Sequence, residues 1–324
     1  MAYKTYAEAL IDALYQRMAN DADIRLIGSW VLGLGPQRDL VDRIKDDFPE
    51  RVMDPPASEA AVATLGIGSA MAGARPFVDI GTASFVFEAW SQIVNEAANA
   101  HYMSGGQISV PVVFHMLHGL RGGGAAQHSH SPQGMFWNCP GLEIVLPSSP
   151  RDVKGLMNAA IQSNNPTIVL DHAKLLGIEG EVPDDDDFII PFGQADIKRQ
   201  GGDVTIVATS LMVQVALEAA DAMSQEGIDV EVVDPRTIVP LDKETILSSV
   251  EKTGHLVVVD EANISCGIAS EISAIVAERA FASLRAPIIR VARPDSPVPF
   301  NAVLEAELTP TSEKVQAAVR KVLT

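Results

Sequence analysis

Four of the seven histidines lie close together in "FHMLHGLRGGGAAQHSHS": His115, His118, His128 and His130. Imidazole is the side chain whose unperturbed proton equilibrium falls nearest neutrality, so such a cluster could pass protons or ligate a metal ion. His128 and His130 follow Gly122, Gly123, Gly124, Ala125 and Ala126, a stretch that can bend close to a ligand without side chains intruding. Across residues 104–142 there is no Asp or Glu, and Arg121 is the only formal charge. No carboxylate near in sequence helps these rings. As ligands, His115-x-x-His118 and His128-x-His130 could offer four imidazoles, and H-x-H on a strand points both rings to one face. Catalytic zinc and iron sites usually add a carboxylate, so hydrogen bonding or proton transfer is the better reading. Ser129 and Ser131 lie outside any G-x-S-x-G context, which disfavours a serine nucleophile.

The second informative stretch is "DPPASEAAVATLGIG". Glu59 follows two prolines and begins an apolar run, which places it at the start of a buried helix. The helix N-terminus favours a carboxylate there, while apolar surroundings raise its proton affinity. A reactive acid and an ordinary helix-start acid fit these residues equally. Nucleotide loops fit worse. "GIGSAMAG" has Met71 where G-x-G-x-x-G needs its third glycine, "GLGPQR" has Arg38 there, and no G-x-x-x-x-G-K occurs.

The elements that must position these residues alternate. Thr5 and Glu8 form a capping box, and Tyr6, Leu10, Leu14 and Met18 then recur at helical spacing. The strand "IRLIGSW" follows, then a helix over "DLVDRIKDDF", the Gly-containing helix after Glu59, and the strand "RPFVDIG". A long helix over "FVFEAWSQIVNEAANAHYMSG" ends at Gly105, before the buried strand "VPVVFHML". A strand at "LEIVLP", a helix from "RDVKGLM" and the strand "PTIVLD" complete this half. "GEVPDDDDFIIPFG" breaks the pattern, and its four aspartates read as a solvated linker. Beyond it come "DVTIVATS", a helix opened by Ser210 and stopped at Gly227, "IDVEVVD", a helix after Pro240, "HLVVVDE", a helix over "ASEISAIVAERAF", and "PIIRVA". Strands alternating with helices argue parallel sheets covered on both faces. The expected division is residues 1–182, a linker at 183–194, and 195–324.

Composition bounds the partners. A length of 324 residues suits two domains. A net charge of -18 excludes a nucleic-acid binder and disfavours an anionic membrane surface. Two cysteines without a pairing pattern, no apolar signal segment and no spanning stretch make the cytoplasm the expected location.

In order along the chain, "MDPPASEA", "AMAGARPFVDI", "QIVNEAANAHYMSGG", "AAQHSHS", "CPGLEIVLPSSPRDVKGL", "NNPTIVL", "DPRTIVPLD" and "KTGHLVVVDEA" resemble the beta subunit of thiamine-diphosphate-dependent 2-oxoacid dehydrogenases. These are the decarboxylating first components of the pyruvate and branched-chain 2-oxoacid complexes. The resemblance runs from about Thr5 to the C-terminus. It implies an α/β fold of two domains with mostly parallel sheets covered by helices: a pyrimidine-binding domain, then a transketolase-type C-terminal domain. It implies that Glu59 hydrogen-bonds the aminopyrimidine ring of thiamine diphosphate and exchanges a proton with it. Phe85 falls on the aromatic that stacks against that ring, and Gly81 and Thr82 fall beside its edge. His128 falls on the histidine of the family's "HSQS", which handles protons during acyl transfer; His130 stands where the family has glutamine.

The G-D-G…N motif that holds the diphosphate through Mg2+ is missing, "GGDVT" at Gly201 being the nearest string. In the family it belongs to the alpha subunit. The resemblance therefore implies half of each active site, an alpha2-beta2 heterotetramer, inactivity alone, and a lipoyl acyltransferase as acyl acceptor. "NAAIQSNNP" resembles a segment whose carbonyls hold K+ in some members, with Val112, Ala160, Ile161, Ser163 and Asn165 at the matching positions. The family's "GED" is here "GSW", with Ser29 and Trp30, and its "FRxPxG" is "FHMLHG", with His115 for arginine and Leu117 for proline. Cys266 replaces a glycine. Trp30, His115 and His130 are accordingly candidate substrate contacts, for a substrate larger or less acidic than pyruvate. Two other readings are a split transketolase-like carboligase using an aldehyde acceptor, and a metal-dependent hydrolase built on the histidines.

Overall fold

A computed structural model describes residues 1–29, 32 and 37–324. Trp30 and most of "GLGPQR" lie outside the described residues. The chain divides into two compact units, Met1–His118 with Phe136–Phe192, and Gly119–Met135 with Gly193–Thr324.

In the first unit the strands Glu143–Val145, Thr167–His172, Val113–His118, Arg75–Thr82, Ile24–Ile27 and Val52–Met53 lie side by side in that order, each pair parallel. The middle strands Val113–His118 and Thr167–His172 are buried along their whole length, which is why apolar residues dominate them without alternating. Helix Tyr6–Asn20 begins at the capping box: Thr5 N–H donates to Glu8 at 2.7 Å and Glu8 N–H to Thr5 Oγ1 at 3.2 Å. Helix Pro150–Gln162 starts where Ser149 accepts from the Asp152 amide and Pro150 supplies a preset φ. Helix Glu59–Met71 packs against Arg75–Thr82 through its small residues. At Gly66 a Cβ would stand 2.4 Å from Val78 Cγ2, so only glycine permits that approach.

Two expectations change in detail. The long helix is three successive turns of different pitch: 3-10 over Ala83–Ala89, π over Gln92–Ala97 and α over Ala98–Met103. Gly105, at φ +65°, ends it. The aspartate run is exposed yet tied down. Arg17 reaches Asp187 at 3.1 Å and the Asp186 carbonyl, and the terminal amine reaches Asp184 at 2.5 Å. Just before it, Glu179–Val182 pairs antiparallel with Ala2–Thr5.

The second unit orders its strands Ile289–Arg293, Leu256–Asn263, Val204–Ala208, Val230–Asp234 and Asp196–Arg199, the last antiparallel to its neighbour. Helices Leu211–Ser224 and Ser312–Val322 cover one core, in which Val204, Ile206, Val213, Ala216, Val257 and Val319 are all 0% exposed or nearly so. Residues Gly119–Met135, between two strands of the first unit in sequence, belong here. Their groups donate hydrogen bonds to the carboxylates of Asp260, Glu261 and Glu305, and the Ser129 carbonyl accepts one from Arg293.

Candidate active site

The strand Arg75–Thr82 delivers Gly81 and Thr82 to the carboxyl end of a parallel sheet, the edge at which ligands of such sheets bind. Its register against Val113–His118 shifts between Asp79 and Gly81, and Gly81 has φ +84°. A buried carboxylate holds this bulge. Asp79 Oδ1 accepts from the Gly81 amide at 3.0 Å and Oδ2 from the Leu32 amide at 3.2 Å. Thr82 is buried and Phe85, in the following 3-10 turn, is half-buried. Glu59 is the first residue of its helix, half-buried, behind an N-cap (Ser58) that makes no side-chain cap bond. That helix packs against both Arg75–Thr82 and Ala83–Ala89. Glu59, Gly81, Thr82 and Phe85 thus stand on three elements in mutual contact.

Beneath Gly81 lies a buried charge cluster. His115 Nδ1 is 3.3 Å from Asp79 Oδ1 and Nε2 is 2.9 Å from Asp171 Oδ2. Tyr6 donates its hydroxyl to Asp171, and the Phe77 ring stacks on the imidazole. His115 is 1% exposed and both carboxylates 0%. Burial alone would depress its pKa, but hydrogen bonds and attraction from Asp171 and Asp79 outweigh that and raise it to about 9. As an imidazolium it donates from both nitrogens, one to each acid. The residue singled out as a candidate substrate contact therefore has no ring nitrogen left over, and it supports the strand edge that carries Gly81.

His128 closes a 3-10 turn, Ala126–His128, on the loop of the second unit. Ala125 before it has φ 51°, and Gly122 and Gly123 have φ of 80° and 96°. The Gly119 amide donates to the His130 carbonyl at 3.2 Å, pinching the loop at its base. Partial burial, then the charge of Arg293, pulls His130 below the usual imidazole range. The carboxylates missing from the loop's own sequence come from far along the chain. Glu261 accepts from the Leu120 amide at 3.0 Å, and Asp260 accepts from Gln133 Nε2 at 3.1 Å. Burial pushes Asp260 up to about 6. Arg293 donates to the Ser129 carbonyl at 3.1 Å. None of these anchors has a sequence signal beyond its being polar within an apolar strand or helix.

The four clustered histidines are split between the units: His115 is bonded to two acids, His118 meets His172 edge-on with centroids 5.2 Å apart, and His128 and His130 belong to the loop. Among the described residues no group of three or more His, Cys, Asp or Glu could hold a metal ion. At the segment matched to a K+ site, Arg75 Nε donates to the Ile161 carbonyl at 2.8 Å and its Nη2 to that of Ser163. The Val112 carbonyl accepts from the Thr167 amide at 2.9 Å and the Ala160 carbonyl from the Ser163 amide at 3.2 Å. Asn165 donates to Glu143. A guanidinium shared by two of the five carbonyls fits a monovalent cation poorly.

Two α/β units, the first with an acid, an aromatic and a glycine-led strand end, and the second with a histidine loop, define a transketolase-type pair of domains. The chain matches the transketolase pyrimidine-binding domain over residues 2–178 and the transketolase C-terminal domain over 193–315, and it belongs to that family. It is 42% identical to the acetoin:2,6-dichlorophenolindophenol oxidoreductase subunit beta of Cupriavidus necator, covering 97% of this chain and 96% of that one. It is 42% identical to the pyruvate dehydrogenase E1 component subunit beta of Rickettsia conorii (98% of each), and 39% to the 2-oxoisovalerate dehydrogenase subunit beta of Bacillus subtilis (99% of each). The same fold occurs in a split gene transketolase solved as an inactive beta4 tetramer: TM-score 0.81, 24% identity, 98% of this chain and 97% of that one.

Proposed function

We propose that this chain is the beta subunit of a thiamine-diphosphate-dependent 2-oxo acid or acyloin dehydrogenase, and that it supplies the pyrimidine half of the active site. The observation that carries the reading is Glu59 opening a helix packed on the two elements that bear Gly81, Thr82 and Phe85. An aminopyrimidine ring needs a carboxyl partner for its nitrogen, an aromatic face and a bare backbone edge, and these residue types fit it. The chain fits the rest of that cofactor less well. It has no diphosphate-cradling motif and, among the described residues, no cluster for Mg2+.

When bound, the cofactor supplies the electron sink that decarboxylation or acyloin cleavage requires. Glu59 holds and exchanges a proton at the pyrimidine nitrogen, Phe85 sets the plane of the ring, and Gly81 and Thr82 meet its edge. His128 moves a proton at the reacting carbon's oxygen. An alpha subunit, in an alpha2-beta2 assembly, brings the Mg2+ and diphosphate ligands, and a lipoyl acyltransferase receives the acyl group. Neither Cys139 nor Cys266 is in a disulfide, which suits the reducing cytoplasm. The GSW departure favours a substrate larger or less acidic than pyruvate, whereas His115 of FHMLHG is bonded to Asp79 and Asp171 and serves the strand edge instead.

Glu59→Gln tests this. It keeps size and a hydrogen bond but cannot exchange the proton. In the assembled enzyme, exchange of the thiazolium C2 proton should slow by at least ~100-fold, the lower range for a lost general acid-base group. A helix-start acid without a chemical role predicts near-normal exchange and a stability loss of about 1 kcal/mol or less. That second result would remove Glu59 from the mechanism.

A further inference from the structure

The histidine loop contains no acid, yet its glycines hold one. Gly122 and Gly123, consecutive and both at positive φ, point their amides at the same carboxylate: Gly122 N–H donates to Glu305 Oε1 at 2.7 Å and Gly123 N–H to Oε2 at 2.8 Å. Two adjacent amides turned to one side form an anion-binding concavity, and here the protein fills it with its own side chain. Glu305 is 3% exposed on helix Ala302–Leu308. Its charge is faced by Arg121 and Arg293, which both feel its attraction. Arg293 in turn fixes the Ser129 carbonyl, on the far side of His128. The imidazole therefore hangs between two clamps, with only Gly124, Ala125, Ala126 and Gln127 separating it from the first.

We propose that Glu305 is a positioning residue for His128: its carboxylate locks the Gly122–Gly123 turn, and the locked turn sets where the imidazole stands. This rests on the reading of His128 as the proton-handling group. The choice of acid follows from the task. Two parallel charge-assisted bonds fix a turn in position and orientation, which one neutral acceptor cannot do. Small residues then carry that constraint to His128, because they offer no side-chain packing of their own. Gly124 is nearly as confined. A Cβ there would stand 2.7 Å from Ser129 Oγ, so the loop closes on itself between the clamps.

The test pairs Glu305→Gln with Gly123→Ala, which strains the same turn from the loop side because its φ of 96° suits only glycine. Amide hydrogen exchange on the full chain reads the clamp directly. In Glu305→Gln the peptide over residues 119–128 should exchange roughly tenfold faster, as expected for losing a hydrogen bond to a charged group, with strand Val204–Ala208 unchanged. In the assembled enzyme, kcat should fall roughly 10- to 100-fold, the range for a small misplacement of a reacting group. KM for the 2-oxo acid and affinity for thiamine diphosphate should hold, and Gly123→Ala should show the same split. Unchanged exchange, or faster exchange with normal kcat, overturns the role of Glu305. His128→Ala is the control for the underlying reading. If that variant keeps full turnover, the reading of His128 fails; if it is inactive while Glu305→Gln runs at full rate, only the proposal for Glu305 fails.

Discussion

The buried cluster under Gly81 makes stability depend on pH in a way that can be calculated. His115 holds its proton up to about pH 9 when folded, against an ordinary value of 6.5. The difference of about 2.5 units, at 1.36 kcal/mol each, corresponds to about 3 kcal/mol of stability as an order of magnitude. Because the folded pKa is the raised one, this contribution is fully present below about pH 6.5 and is lost as pH rises through about 9. Between those limits the folded chain binds one more proton than the unfolded one, so stability falls by about 1.4 kcal/mol per pH unit. His115→Asn removes the cation and leaves Asp79 and Asp171 facing each other. The gap between parent and variant should be widest near pH 6 and should narrow steadily toward pH 10. Urea titrations followed by tryptophan fluorescence report this unit, since Trp90 and Trp137, the tryptophans among the described residues, both belong to it. Subtracting the two curves cancels lysine and tyrosine titrations elsewhere. Parallel curves for parent and variant from pH 6.5 to 9.5 would show that some other group titrates and that His115 is not an imidazolium.

Two more outcomes follow from the same geometry. The chain alone should bind thiamine diphosphate weakly with or without Mg2+, and tight Mg2+-dependent binding in calorimetry would refute the half-site argument. Gly201→Ala should destabilise the second unit by about 1–3 kcal/mol, the usual cost of overpacking, because its Cβ would stand 2.2 Å from the Val230 carbonyl carbon. Circular dichroism should show that loss while the tryptophan transition stays put; a variant as stable as the parent would mean that the strand connection has room to move.

What the sequence made legible, and what it hid, divides along chain distance. The capping box of Thr5 and Glu8, the buried strands and the glycine stops are local, and each produces its element without help from afar. The family resemblance singles out Glu59 and His128 through "MDPPASEA" and "AAQHSHS", and Phe85 by its place between two such strings. The carboxylates that hold the histidine loop carry no string. Leu120 and Glu261 are 141 positions apart, and Gly122 and Glu305 are 183 apart. Before folding, Glu305 in "NAVLEAELTP" looks like any helix acid. The pairing of Ala2–Thr5 with Glu179–Val182 was hidden for another reason: both segments are only four residues long and carry too few apolar residues to mark a strand. The 3-10 and π turns over Ala83–Ala97 were hidden because aromatic and apolar spacing there fits an α-helix equally well.

The two units share one device, and it explains why each of them buries charged groups. In the first, Asp79 receives the amides of Gly81 and Leu32; in the second, Glu261 receives that of Leu120 and Glu305 those of Gly122 and Gly123. Each segment held this way is glycine-led or loop-borne, and outside Leu32 and Leu120 it has little side chain to pack. A charged acceptor fixes it instead, at the cost of burying a carboxylate. That cost is offset by cations: His115 beside Asp79, Arg293 drawn by Glu261 and Glu305, and Arg121 drawn by Glu305. The cations are then as necessary as the acids, because removing one strands an uncompensated charge where water cannot reach it. An arginine at position 115 would serve the same electrostatic end, so the departure to histidine keeps the charge while making it removable by pH. The loop's freedom from acidic residues has the same logic. Any carboxylate of its own would compete for the Gly122 and Gly123 amides and for the arginines that secure Glu305.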